Sequence, residues 1–260
     1  MQISKTDAKR FILLKQGLHG PYKFSGKEGI LDFIKQAGCI QFDPIDICGK
    51  NHELVLQSRV SGFRKSQLYE LLYEDRKLVD LFDKNMAIVP VEDWPYLSHF
   101  REYYQNGGRF KEDIDRVAGE ILEHIDNNGP ICSADIQYTE KVNWYWAPTS
   151  LGRAALDTLY YRGDLIVHHK KNTRKYYDIA KKHIPAELLE MTNPNNTPEN
   201  YYKWHLLRRI KSVGMLWNRA SDAWLGISGL KTVQRNMAFS GLLSEGLIRA
   251  ITGDGIKVPL

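Results

Sequence analysis

The 260-residue chain has only three cysteines, Cys39, Cys48 and Cys132. They are too few and too scattered for a disulfide framework or a four-thiolate zinc site. No apolar run approaches the roughly 18–20 residues that a membrane span needs. The opening MQISKTDAKRF is a capped polar helix start and lacks the apolar stretch of a secretory signal. Gly-rich phosphate loops, HExxH and GxSxG are all missing. The expectation is a reducing, cytoplasmic setting, with no membrane partner, no cofactor and no metal.

What is present suits a folded core: 43% of residues are hydrophobic and 26% charged, with a mean hydropathy of −0.42. That length accommodates one large domain or two to three small ones. The net charge of +5 is mild but unevenly spread. Residues 161–183 hold seven Lys/Arg against Asp164 and Asp178, and residues 201–260 hold nine against three acids. Residues 1–160 are net acidic. Such asymmetry favours phosphate-backbone contact in the C-terminal hundred residues, with a solvated basic face as the alternative.

The chain also repeats a pattern. Ile114, Val117, Ile121 and Ile125 recur at helical spacing and halt at Asn127-Asn128-Gly129-Pro130. Ser133 offers an N-cap for a short helical turn. A third helix opens at Thr149 or Ser150 and stops near Gly163. Two β-like runs, 165–167 and 176–179, follow, joined by a basic link from His168 to Lys175. Three helices and a charged hairpin describe a winged helix, whose helix-turn-helix suits a DNA groove. The order returns about 80 residues later, in Leu206, Leu207, Ile210 and Val213, a Ser221-Asp222 cap, a helix from about Ser228 to Leu243, and a hairpin turn at Gly253-Asp254-Gly255. Residues 193–198 read as a linker. The first hundred residues are less regular: helices over 5–18, 29–37, 51–60 and 66–73, an extended 39–45, and strands within 78–91. The fold class expected is α+β, mostly helical, with tandem winged-helix domains over 1–108 (divergent), 109–192 and 193–260.

Polar residues inside an apolar strand carry the most information. In Cys39–Ile45 side chains alternate, so Gln41 and Asp43 share a face while Ile40 and Phe42 point the other way. A carboxylate and a carboxamide about 7 Å apart, two residues at ~3.3 Å rise, can hold one water between them. The carboxylate can take its proton or stabilise a developing cation on a sugar, and the amide can position it. The competing reading is that an Asp before Pro44 turns the chain. His52, with Glu53 beside it, is either a base or a structurally paired helix-start histidine. His168-His169 resemble metal ligands, but adjacent strand residues point to opposite faces and no carboxylate cluster completes a site. Trp144-Tyr145-Trp146 packs beneath the helix that follows, with base stacking as the alternative. Cys48 has Lys50 nearby and little else to make it a nucleophile.

Ile40-Gln41-Phe42-Asp43-Pro44 followed by Asn51-His52-Glu53-Leu54-Val55-Leu56-Gln57-Ser58-Arg59 resembles the YcaQ/AlkZ family of bacterial winged-helix DNA glycosylases. So do Gln16-Gly17-Leu18, Pro90-Val91-Glu92-Asp93-Trp94, and Gly163-Asp164-Leu165 leading to Arg174-Lys175-Tyr176-Tyr177-Asp178. The resemblance, to the Gln-x-Asp branch, spans the chain. It implies Gln41 and Asp43 as the catalytic pair and monofunctional excision of N7-alkylguanine from double-stranded DNA, including the unhooking of interstrand crosslinks. That is repair of alkylation damage, carried out by a monomer at the bacterial nucleoid. Lys50-Asn51-His52-Glu53 and Gln57 depart from the family pattern of Arg-x-His-His and an aromatic. A C-terminal β-rich domain is a family feature that this chain stops short of. His52 and Arg59 are expected to line or brace the site, and Lys170, Lys171, Arg174, Lys175, Arg208 and Arg209 to meet DNA phosphates. The alternative function is a non-catalytic winged-helix DNA-binding protein such as a transcriptional regulator.

Overall fold

A computed structural model describes residues 2–145 and 147–253. The chain is α+β, about half helical, with small sheets. The first stretch runs β1 (Gln2–Ile3), α1 (Lys5–Lys15), β2 (Phe24–Ser25), α2 (Gly26–Ala37), β3 (Ile40–Gln41), α3 (Asn51–Gln57), β4 (Val60–Ser61), α4 (Lys65–Tyr73), β5 (Leu78–Phe82) and β6 (Met86–Pro90). Ser4 caps α1, its Oγ accepting from the Asp7 amide at 3.1 Å. Helix α2 buries Ile30, Leu31, Phe33 and Ile34 and stops at Gly38. The φ of Gly38 is +77°, a backbone region that side chains disfavour. Its carbonyl accepts from Arg208 Nη2 at 2.6 Å.

Strands β3, β6 and β5 form an antiparallel sheet in that order. Its apolar run is nearly continuous because both faces are covered, so polar alternation is lost. Leu78 and Ile88 join the core formed with α2 and α4. Val79, Leu81, Ala87 and Val89 point the other way, onto Trp94, Ile166 and Ile184. The sheet thus lies between the first and second parts of the chain.

The second part contains α5 (Ser98–Asn106), α6 (Lys111–Asn128), β7 (Lys141–Asn143), β8 (Pro148–Ser150), α7 (Leu151–Arg162), β9 (Leu165–Lys171) and β10 (Arg174–Ile179). Helix α6 buries the four residues its periodicity marks, Ile114, Val117, Ile121 and Ile125. Ser150 caps α7 and Gly163 ends it in the left-handed conformation. The segment after Ser133 is a turn, not helix; Asp135 Oδ2 accepts from the Cys132 amide at 2.8 Å and closes it. Ile131 bridges to Tyr177 beside the β9–β10 hairpin. The basic link is itself strand, with only Asn172-Thr173 left for the turn.

The last part holds α8 (Ala186–Glu190), α9 (Pro198–Val213), α10 (Thr232–Ser244) and β11 (Thr252–Gly253). Thr197 caps α9, and Leu206, Trp224, Phe239 and Leu242 fill a small core between α9 and α10. Residues 193–197 are a packed loop and Pro198 already opens α9: Asn195 is buried and its side chain donates to the Tyr96 carbonyl at 3.4 Å. The second hairpin expected near the end is not found among the described residues. Leu247-Ile248 is irregular, β11 pairs in parallel with β1, and Asp254-Gly255 lies outside the described residues.

Candidate active site

Strand β3 positions the Gln41/Asp43 pair. Ile40 pairs with Ile88 and Gln41 with Ala87, and the Phe42 amide donates to the Met86 carbonyl at 2.9 Å. Strand alternation then separates the side chains: Ile40 and Phe42 are buried, Gln41 is exposed and Asp43 half-buried. Regular pairing ends there because Pro44 follows and has no N–H to donate. Asp43 Oδ1 accepts from the Ile45 amide at 2.9 Å, so the carboxylate also turns the chain. Its second oxygen is left for other work.

Phe42 is held by two neighbours. The His52 ring stacks on it at 4.8 Å and 21°, and Lys170 Nζ lies 3.4 Å from its centroid. His52 is fully buried at the start of α3, and neither ring nitrogen has a hydrogen-bond partner. Burial pushes its pKa down to about 4 despite the neighbouring Glu53. Glu53 is itself engaged, accepting from Tyr69 Oη at 2.7 Å and pairing with Lys65 at 2.5 Å. His52 therefore braces the motif from behind and lines no open substrate surface. Arg59 is half-buried, stacked 5.4 Å from the Phe33 centroid and bonded to the Val55 carbonyl and Ser58 Oγ. These contacts belong to α2 and α3, and none is to Gln41 or Asp43.

Three of the six cations expected at DNA serve the fold instead. Lys170 pairs with Asp80 at 2.5 Å, with side chains 6% and 1% exposed. Arg208 binds Asp83 at 2.5 Å and Asp93 at 3.0 Å, and Arg209 closes on the other Asp83 oxygen. Burial alone would raise the Asp83 carboxyl, but Arg208 and Arg209 hold it well below the usual range. A buried guanidinium closed on a carboxylate is not presented to a phosphate at the surface. Basic residues at helical positions look alike in sequence whether they face solvent or a buried Asp.

The other three cluster on the hairpin. Lys171 and Arg174 are exposed and Lys175 half-buried, with Lys175 Nζ 3.7 Å from Met86 Sδ. Arg174, Lys175, Met86, Trp144, Arg153 and Asp157 border a surface cavity of about 600 Å³. Met86 links this cavity to the motif, because its carbonyl receives the Phe42 amide. Trp144 packs on the second core and Tyr145 is exposed; Trp146 lies outside the described residues. A second groove of about 750 Å³, lined by Phe11, Met215 and Leu247 among others, contains none of the candidate residues.

Sequence reasoning missed two features. The loop after Asp43 exposes apolar side chains, with Ile45 at 64% and Ile47 at 92%. An isoleucine two residues beyond a strand reads as core unless the strand is known to end. The other concerns His168-His169, where the expected alternation fails. A register shift between Tyr176 and Tyr177 leaves His168 without a cross-strand partner, and the two Nδ1 atoms lie 2.8 Å apart. Asp178 and His183 are close by, so the nearby carboxylate is present after all.

A sequence profile described as "DNA glycosylase AlkZ-like" matches residues 34–258. The chain belongs to the AlkZ-like DNA glycosylase family. Among solved structures it is similar to the Streptomyces sahachiroi DNA glycosylase AlkZ, with a TM-score of 0.67 and 14% identity over 100% of this chain and 70% of that one. At that identity the likeness speaks for the fold. Membership of the AlkZ-like family makes the chain a DNA-repair glycosylase and removes the regulator reading. Among the described residues no helix is long and apolar enough to cross a membrane.

Proposed function

We propose that this AlkZ-like glycosylase hydrolyses the N-glycosyl bond of N7-alkylated guanine in duplex DNA, with Gln41 and Asp43 as its catalytic pair. The observation that carries the reading is the pair's setting: two polar side chains directed away from a clamped apolar Phe42, at a strand edge next to the basic hairpin. An N7-alkylguanine is already cationic, so it departs as a neutral base without a general acid. The bond from C1′ to the base nitrogen breaks with its electron pair leaving on the base. The Asp43 carboxylate stabilises the sugar cation and accepts a proton from the attacking water, which Gln41 orients. The products are the free base and an abasic site. No Schiff-base lysine is needed.

We read the architecture as three winged-helix units over 1–108, 109–192 and 193–260, acting on DNA as a monomer. The α6–α7–hairpin segment supports the middle unit best. Lys171, Arg174 and Lys175 would meet phosphates, while Ile45 and Ile47 offer an apolar wedge beside the motif, of the kind that unstacks base steps. A base attacked without full extrusion is compatible with a crosslinked substrate, since such a base cannot swing free.

The test is incubation with duplex DNA carrying N7-methylguanine, scoring abasic sites by alkaline cleavage, alongside a crosslinked duplex scored for unhooking. Release by the wild type and its loss in Asp43→Asn are expected. Unchanged release by Asp43→Asn would overturn the catalytic assignment.

A further inference from the structure

The base of the β9–β10 hairpin gathers chemistry that glycosidic hydrolysis does not use. His168 stands on β9 opposite the register shift, Asp178 on β10, and His183 just beyond it. One nitrogen from each imidazole and one Asp178 oxygen lie within 4.8 Å of one another. Asp178 is buried and the two histidines are half-buried.

We propose that His168, Asp178 and His183 form a binding site for a divalent transition metal, with zinc the best match. Two imidazoles and a carboxylate are a donor set zinc accepts, at about 2.0–2.2 Å each, leaving a fourth position for water. In a tetrahedral site the ligand atoms sit about 3.3 Å apart, so side-chain rotation closes the gap. The surroundings orient the ligands as outer partners do in metal sites. Asp178 Oδ1 accepts from the Ile179 amide at 2.7 Å, which leaves Oδ2 for the ion. His183 Nε2 lies 2.7 Å from Oδ2, so the ion would enter where a hydrogen is now shared, with the ring hydrogen re-entering at Nδ1. His168 Nδ1 lies 2.8 Å from His169 Nδ1, which leaves His168 Nε2 to ligate and gives His169 the orienting role.

Cationic neighbours set a limit. Arg76 donates to the His168 and Val167 carbonyls at 3.2 and 3.3 Å, and Lys182 Nζ lies 3.9 Å from Asp178 Oδ1. Both oppose a dication. A bound ion would tie the hairpin base to the segment leading to α8, which is a structural role.

The experiment uses the full chain stripped with chelator and titrated with zinc alone by calorimetry, with cobalt as a spectroscopic substitute. The expected result is one ion per chain, ligand-field absorption of a four-coordinate cobalt site, and a rise in melting temperature on adding zinc. His183→Gln, which keeps a donor for Asp178, and His168→Gln should each weaken binding by at least roughly tenfold and abolish the melting shift. Circular dichroism confirms that both variants fold. Absence of stoichiometric binding overturns the proposal. So does binding that neither variant changes, which would mark adventitious surface histidines.

Discussion

The ammonium group of Lys170, on the second part of the chain, lies 3.4 Å from the centroid of the Phe42 ring on the first. Lys170 is paired with buried Asp80, and the His52 ring also stacks on Phe42. Burial lowers the Lys170 pKa, with Asp80 opposing. The residue between the two proposed catalytic side chains is therefore held by a hairpin whose next residue, Lys171, is exposed.

Removing Lys170 should cost stability, in contrast to its neighbour. Lys170→Met leaves the Asp80 carboxylate buried with only the Tyr73 hydroxyl and no charged partner, a loss of about 3–5 kcal/mol. Lys170→Met combined with Asp80→Asn should recover part of it. Lys171→Ala should change stability by less than about 0.5 kcal/mol while reducing the salt-dependence slope of DNA binding by about one. Urea denaturation and binding titrations at several salt concentrations separate the two.

Asp43→Asn should lower base release by about 10²–10⁴-fold, the usual size of a lost proton-transfer group. Affinity for lesion DNA should stay near the wild-type value, because the amide keeps the shape and removes only the charge. Single-turnover kinetics with a binding assay reads both quantities. A parallel fall in affinity and rate would assign Asp43 to binding.

His52 makes stability depend on acid. In the folded chain it titrates at about 4, against 6.5 for a free histidine. Unfolding therefore takes up a proton between those values, and stability is full above pH 6.5 and falls as pH drops toward 4. His205, pushed to about 3 by burial, adds to the loss. His52→Phe keeps the stack on Phe42 and should flatten the fall by about one proton. Denaturation midpoints at pH 7 and 4.5 measure it. Since His52 stays neutral from pH 5 to 8, the activity profile in that range should carry no inflection from it.

Ile47 is 92% exposed, so Ile47→Ser should leave stability within about 0.5 kcal/mol of wild type. It should nonetheless weaken binding to duplex DNA, and base release should fall with it. Equal affinity in the variant would remove the wedge reading.

Much of this was legible in the residues. The α6 stripe, the Ser150 and Gly163 caps of α7 and the alternation at Ile40–Asp43 follow from local rules, and the structure has each of them. What escaped depends on distant partners. Arg208 and Arg209 read as DNA contacts because Asp83 is 125 and 126 residues away in the chain. Lys170 met Asp80 in the same way. The pairing of His168 with His169 hinged on a single register shift that composition does not signal. Gln41 and Asp43 stood out because polar residues interrupt an apolar strand, but the brace behind them needed three dimensions.

Strand β3 is an edge strand of its sheet, paired on one side with β6. An exposed strand margin invites another chain to add itself by main-chain bonding. Here that margin is only two residues long, because pairing with β6 ends before Pro44 and the Asp43 carboxylate occupies the Ile45 amide and turns the chain. A margin that short offers a second chain few main-chain groups to pair with. The turn that ends the strand is thus also what leaves the proposed DNA-facing side chains on a loop instead of in a ladder.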